Sequence, residues 1–316
     1  MSTTASTKAP MRPPAGPSRR AADSDGKGIG NGTFAILLAL PGLALLLAVV
    51  VYPLITSLVT AFFEQSMVQP GRRFVGFENI ADVLGTDFWR LLRQTLVFTV
   101  GATIAPFVVG FGLALALNTG IRGRTVLRGL FLIPWLVPSV VVSFLWMWIF
   151  NGNYGLLNGL LYQVGLADSP KAWLASSGSA MVALIIAKTW ASFPWIMVML
   201  LAGLQTVPHE LHEAAEVDGA GIISRFFAVT LPHLRGIIGI VLLLEVIWNF
   251  QHFDLIYVMT GGGPAGSTET FATAVYETAF QGFDLGRAGA LGLIWMALLT
   301  VLMVIYVRVS ERGERT

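Results

Sequence analysis

Long uncharged apolar runs separated by short polar stretches dominate the chain. Six stand out, at residues 34–62, 90–118, 129–150, 179–204, 237–259 and 287–308. A helix of roughly 20 residues crosses a hydrocarbon core of about 30 Å, so each run is read as one transmembrane helix. The third is the least sharply bounded, because no charge lies between Arg128 and Asp168, and its end rests on the breakers Asn151, Gly152, Asn153 and Gly155. Prolines 41, 53, 106, 134, 138 and 194 fall inside runs. Membrane helices tolerate them where neighbours satisfy the freed carbonyls. Residues 1–32, rich in Pro, Ser, Ala and Gly, lack the apolar area to offset chain entropy and are expected to be disordered. The apolar run after them is far longer than a signal-peptide core of 7–15 residues and is read as a retained first span.

Composition agrees: 55% of residues are hydrophobic and 12% charged, against about a quarter charged in soluble domains. A single water-soluble core is excluded. With the N-terminus inside, thirteen of the 20 lysines and arginines fall on the cytoplasmic side and six outside, with Lys188 in a span. The positive-inside bias therefore predicts N-in and C-in. The expected organisation is a cytoplasmic tail (1–32), a first helix with an external loop (33–88), a core membrane domain (89–308) and a cytoplasmic tail (309–316). Residues 205–236 form a cytoplasmic loop within the core domain. No cysteine is present, which removes disulfides and thiolate chemistry. His209 and His212 flank Glu210 without an HExxH pattern, so no metal site is assigned. No nucleic-acid partner is expected.

The loop holds EAAEVDGAGIISRFFAVTLP, residues 213–232. Pro208 with Glu210 and Glu213 suits a helix start. Leu211, Ala214, Ala215 and Asp218 then share a face whose alanines permit close approach by another surface. Asp218-Gly219 is expected to end this helix, glycine taking the left-handed conformation. A second short helix over about 222–229 would show Ile222, Ile223, Phe226 and Phe227, with Leu231-Pro232 closing it before span five. An amphipathic hairpin lying on lipid is the simpler reading of such an elbow. Acidic Glu210, Glu213, Glu216 and Asp218 suit an anionic leaflet poorly and a protein groove better.

Glu213-Ala214-Ala215, Asp218-Gly219-Ala220 and Leu231-Pro232 resemble the EAA loop of binding-protein-dependent ABC transporter permeases. The block Phe253 to Pro264, with Thr260, Gly261, Gly262, Gly263 and then Thr268, is similar to a segment of the maltose-type sugar permeases. The resemblance spans roughly residues 34–308. It implies an all-α, six-helix, type I importer bundle in a bacterial inner membrane, acting as a non-catalytic subunit. It also implies a second homologous permease, two ATPase subunits carrying ATP and magnesium, and an extracytoplasmic solute-binding protein. Under it Glu213 contacts the ATPase, Ala214 and Ala215 allow close seating, and Gly219 sets the elbow. The chain's own residues agree that ATP chemistry lies elsewhere, since Ala187-Lys188-Thr189 lacks the glycines of a phosphate loop.

Ionisable groups inside spans face the bundle or a cavity, since a mid-bilayer charge costs at least about 2.5–3.5 kcal/mol. Lys188 and Glu245 lie near the middles of spans four and five. At about 1.5 Å per residue they fall within one helical turn of depth, which allows an ion pair. Trp190, Trp195, Trp248, Asn249, Gln251, His252 and Asp254 cluster on the same two spans. Aromatic faces with amides and carboxylates hold sugars, so these residues are the candidate solute path for a carbohydrate or polyol phosphate. Packing and interfacial belts are the commoner use of such aromatics. Asp254, His252 and Gly261–Pro264 serve equally as an external gate or a seat for the binding protein. The other function weighed is a stand-alone ion-coupled secondary transporter, which calls for several buried acids and an inverted repeat. The chain offers one buried glutamate and no visible repeat. Nothing in the spans pairs Ser with His or Asp with Asp as an intramembrane enzyme requires.

Overall fold

The computed structural model describes residues 31–314, which are mostly helical and divide into two compact units between Pro53 and Leu54. The first unit contributes α1 (Asn31–Leu46) and a wide π turn at Leu47–Val51. With α2 (Tyr52–Thr60), Leu38–Thr60 is long and apolar enough to cross a membrane. The tail expected over residues 1–32 lies outside the described residues except for Asn31 and Gly32, which are already helical.

In the second unit a short antiparallel hairpin, β1 (Phe63–Glu64) with β2 (Arg73–Phe74), follows α2. Asn79 on α3 (Glu78–Thr86) donates to the carbonyls of Ala61 and Phe63, each at 2.9 Å, and pins the hairpin to the helix. α4 (Phe88–Leu117) then crosses the unit. It meets α5 (Arg124–Leu136) and α6 (Ser139–Ile149), which are bent by 95° to each other. The single third span expected over 129–150 is therefore broken. Val137 is extended because the ring of Pro138 disfavours helix at the residue before it, and Pro138 brings no N–H to carry the ladder across.

After α7 (Leu156–Gln163), α8 (Ser177–Leu204) packs along α4. The two backbones come so close that a Cβ at Gly110 would sit 2.8 Å from the carbonyl oxygen of Phe193. One core cluster joins Phe98 and Ala102 to Leu184 and Ala187; another joins Ala114 and Leu117 to Ile196 and Leu200.

α9 (His209–Val217) is followed by α10 (Ile222–Arg225), a π turn at Phe226–Thr230 and α11 (Leu231–Phe250). These last three form one unbroken helix, Ile222–Phe250. This corrects the short helix and the Leu231-Pro232 closure expected before span five. The N–H of Leu231 reaches back five residues to Phe226, and the widened turn absorbs the donor that Pro232 lacks. The span also ends earlier than expected, at Phe250. Asp254 opens a separate helix, α12 (Asp254–Thr260). α13 (Phe271–Tyr276), a π turn and α14 (Leu285–Glu314) complete the chain. Among the described residues five helices are long and apolar enough to span a membrane, or six with the bent pair as one span.

Candidate functional site

Three regions carry the sequence candidates. In the first, the α5–α6 break opens a cavity of about 170 Å³ against α8 and α11. Lys188, Glu245, Trp248 and His252 line it, together with Trp195. The Trp195 and Trp248 rings meet edge to face, with centroids 4.9 Å apart. Lys188 and Glu245 share the cavity, yet no ion pair within 4.0 Å joins them among the described residues. Glu245 is held instead by Asn249, whose Nδ2 donates to Oε2 at 3.0 Å, to the carbonyl of Ala102 at 3.0 Å and to Thr103 at 3.2 Å. Asn249 is thus a buried support behind the cavity wall. His252 stacks on Phe98 at 6.0 Å, and its Nε2 is shut from solvent without a partner.

Three candidates fall elsewhere, the first being Gln251, which is exposed at the end of α11 and does not line the cavity. Trp190 packs against Trp146 (centroids 6.2 Å apart) in the α6–α8 core. Asp254 is exposed in the first turn of α12. Pro134, Trp135, Ser139 and Ser192 line the cavity and were not read from the sequence. The signal for them was the close pair Pro134 and Pro138, which marks where a helix gives way.

The second region is the elbow. α9 ends in a Schellman arrangement: Gly219 N–H donates to Glu216 O at 3.0 Å and Ala220 N–H to Ala215 O at 2.9 Å. The E-A-A and D-G-A elements are thereby bonded to each other. Gly219 has φ +80°, and a Cβ there would meet nothing within 4 Å, so backbone conformation alone calls for glycine. Arg225 Nη1 reaches Glu216 at 2.7 Å and ties the second arm back to α9. Glu213, Ala214 and Asp218 are exposed, Ala215 is half-buried, and Val217, Ile222 and Ile223 stand out at 75% exposure or more. Leu231 is half-buried and Pro232 exposed, both inside the continuous helix.

The loop after α12 is closed on itself. Gly261 and Gly262 have positive φ, and Thr268, fully buried, donates to Gly263 O at 2.7 Å and bonds Thr260 Oγ1 at 2.8 Å. Gly263-Pro264 is cis. An ionic cluster adjoins this loop: Arg90 bonds Glu269 and Asp87, and Arg287 bonds Asp82 and Asp87. Burial, then the charge of Glu269, raises the Glu277 carboxyl above its usual range, with Arg90 opposing.

Apolar helices long enough to span a membrane, a cavity among α5, α6, α8 and α11 that holds Lys188 and Glu245, and an exposed elbow leading into one of them define the class as a membrane permease. Residues 107–315 match the family described as binding-protein-dependent transport system inner membrane component, and the chain belongs to that family. It is an ABC transporter permease, a multi-pass inner-membrane subunit, which displaces the stand-alone secondary transporter. It is 35% identical over 279 residues to the trehalose/maltose transport system permease protein MalF of Thermococcus litoralis, covering 87% of this chain and 92% of that protein. It is 32% identical over 321 residues to the diacetylchitobiose uptake system permease protein DasB of Streptomyces coelicolor, covering 96% and 97%. Among solved structures, a chain of a bacterial ABC transporter that imports the polysaccharide alginate matches with a TM-score of 0.77 at 21% identity, covering 88% of this chain and 95% of that one. That likeness concerns the fold.

Proposed function

We propose that this chain forms one wall of a carbohydrate pathway in an ATP-driven importer. Its partners in this reading are a second permease, two ATPase subunits and an extracytoplasmic binding protein. The observation that carries it is the continuity of Ile222–Phe250. One rigid helix joins the exposed elbow to Glu245, Trp248 and Asn249. A push on α9 from a cytoplasmic ATPase would therefore be delivered to the cavity wall. Within the chain, Glu213 meets the ATPase, Ala214 and Ala215 let α9 seat, and Asp218, Gly219 and Ala220 hold the bend.

The cavity supports a sugar by its chemistry. The indoles of Trp135, Trp195 and Trp248 offer apolar faces, while Lys188, Glu245 and His252 offer hydrogen bonds to hydroxyls. Relatives are named for trehalose/maltose and for diacetylchitobiose. At about 170 Å³ the cavity is smaller than the roughly 300–1,000 Å³ that encloses a ligand, which suits one wall of a site completed by another subunit. Replacing Gly219 by Pro should reduce binding-protein-dependent uptake by more than about tenfold while leaving membrane insertion intact. Unimpaired uptake would refute the coupling role. ATP hydrolysis by the purified chain alone would refute the non-catalytic assignment.

A further inference from the structure

A different cavity, of about 440 Å³, lies where α4 and α8 end and α5 and α9 begin. Arg124 and Arg128 line it from α5, His209 and His212 from α9, and the side-chain amides of Asn118 and Gln205 from the ends of α4 and α8. No carboxylate lines it. Neither arginine has a carboxylate within 4.0 Å among the described residues.

Arg128 carries a buried donor without a protein partner. Its Nη2 donates to Leu117 O at 3.2 Å, which covers one free carbonyl at the end of α4. Its Nε is shut off from solvent and has no acceptor. An arginine that merely snorkels keeps its whole guanidinium wet, whereas a buried donor left unsatisfied costs about 1–3 kcal/mol. The field has the same sign as the side chains. α5 starts at Arg124 after Gly123, α9 starts at His209 after Pro208, and neither start has a side-chain cap. Their positive ends add to the arginines. The ends of α4 and α8 oppose this, but one of those carbonyls is already taken by Arg128. Glu210 and Glu213 do not line the cavity.

We propose that this cavity binds a phosphate group, with the two guanidiniums gripping its oxygens and the imidazoles and amides completing the shell. By the charge of the loops it lies at the cytoplasmic surface, where anionic lipid headgroups and soluble phosphate are both at hand. A lipid phosphodiester and inorganic phosphate share the required chemistry. The site is separate from the solute pathway and does not depend on the solute's identity.

The test uses the full chain, wild type and Arg124→Gln/Arg128→Gln, in nanodiscs of phosphatidylcholine containing phosphatidylglycerol. Phosphatidylglycerol retained after mild delipidation is read by native mass spectrometry. A parallel sample in detergent is titrated with inorganic phosphate and followed by thermal unfolding, with chloride as the control. Retention that falls at least about tenfold in the variant identifies a headgroup site. A phosphate-specific rise in Tm that the variant lacks identifies a site for free phosphate. Equal retention and equal phosphate response in both proteins overturn the proposal. Arg124→Gln alone, at an exposed position without an intramolecular ion pair, serves if the double variant unfolds, and must weaken binding in the same assays. Arg235→Gln, an exposed cation of α11 outside the cavity, must bind as the wild type does. An equal loss there would reduce the effect to surface charge and overturn the site.

Discussion

Lys188 and Glu245 place opposite charges on two helices around one small cavity, without direct contact. Each charge makes the other tolerable in a setting where an isolated one costs at least about 2.5–3.5 kcal/mol. Removing one should therefore hurt more than removing both. We expect Lys188→Met or Glu245→Gln alone to destabilise the purified chain by about 1–3 kcal/mol. The double variant should regain most of that, as read by thermal unfolding in detergent. If the residues also touch solute, the double variant should stay defective in uptake despite its recovered stability. Recovery of both would make the pair structural only. That these two residues lie at one depth was legible from the sequence, since six spans and a fixed rise per residue bring them level. The distance between them was not, because depth says nothing about rotation. The same limit misplaced Trp190: five residues from Trp195 on one helix turns it well away from the cavity, into the contact with Trp146.

At the scale of elements, long apolar runs located α4, α8 and α14 to within a few residues, because lipid selects for length and hydropathy together. Hydropathy fails where a helix leaves the bilayer without ending. The pair Leu231-Pro232 suggested a boundary, yet the helix runs through it down to Ile222. It fails again at Pro138, since some prolines are absorbed inside membrane helices and others break them, and neighbours decide which. The glycine-proline loop after α12 shows what its motif is for. Gly261 and Gly262 take conformations that other residues resist, while Thr260 and Thr268 bolt the two ends together. Thr268→Ala should lower stability by about 1–3 kcal/mol, since it strands the carbonyl of Gly263 and removes a partner of the Thr260 hydroxyl, which keeps its bond to Ile256 O. Thr268→Ser keeps the hydroxyl and should recover most of the loss in Tm. Equal loss in both variants would locate the effect in the methyl group and its packing.

At the scale of the whole molecule, the consequence of an unbroken Ile222–Phe250 helix is mechanical. In the arrangement read from the sequence, a short second arm met span five at a closing proline, and such a joint would lose motion between loop and span. The structure has no such joint: the π turn at Phe226–Thr230 carries the helix past Pro232, and Arg225 braces that arm to α9 through Glu216. The proposed coupling calls for stiffness between elbow and cavity, and this is open to test without touching either end. Ala228→Gly with Val229→Gly places two residues that each disfavour helix by about 1 kcal/mol inside the π turn. Neither position belongs to the cavity or to α9. In the assembled importer, ATP hydrolysis should continue near its normal rate while uptake falls several-fold, because ATPase closure would bend the softened turn instead of moving Glu245 and Trp248. Val229→Ala, which keeps helical stiffness, should leave both activities unchanged. Uptake that survives the glycine pair intact would mean that the force reaches the cavity by another route, such as the packed α4–α8 pair, whose helices are both of spanning length.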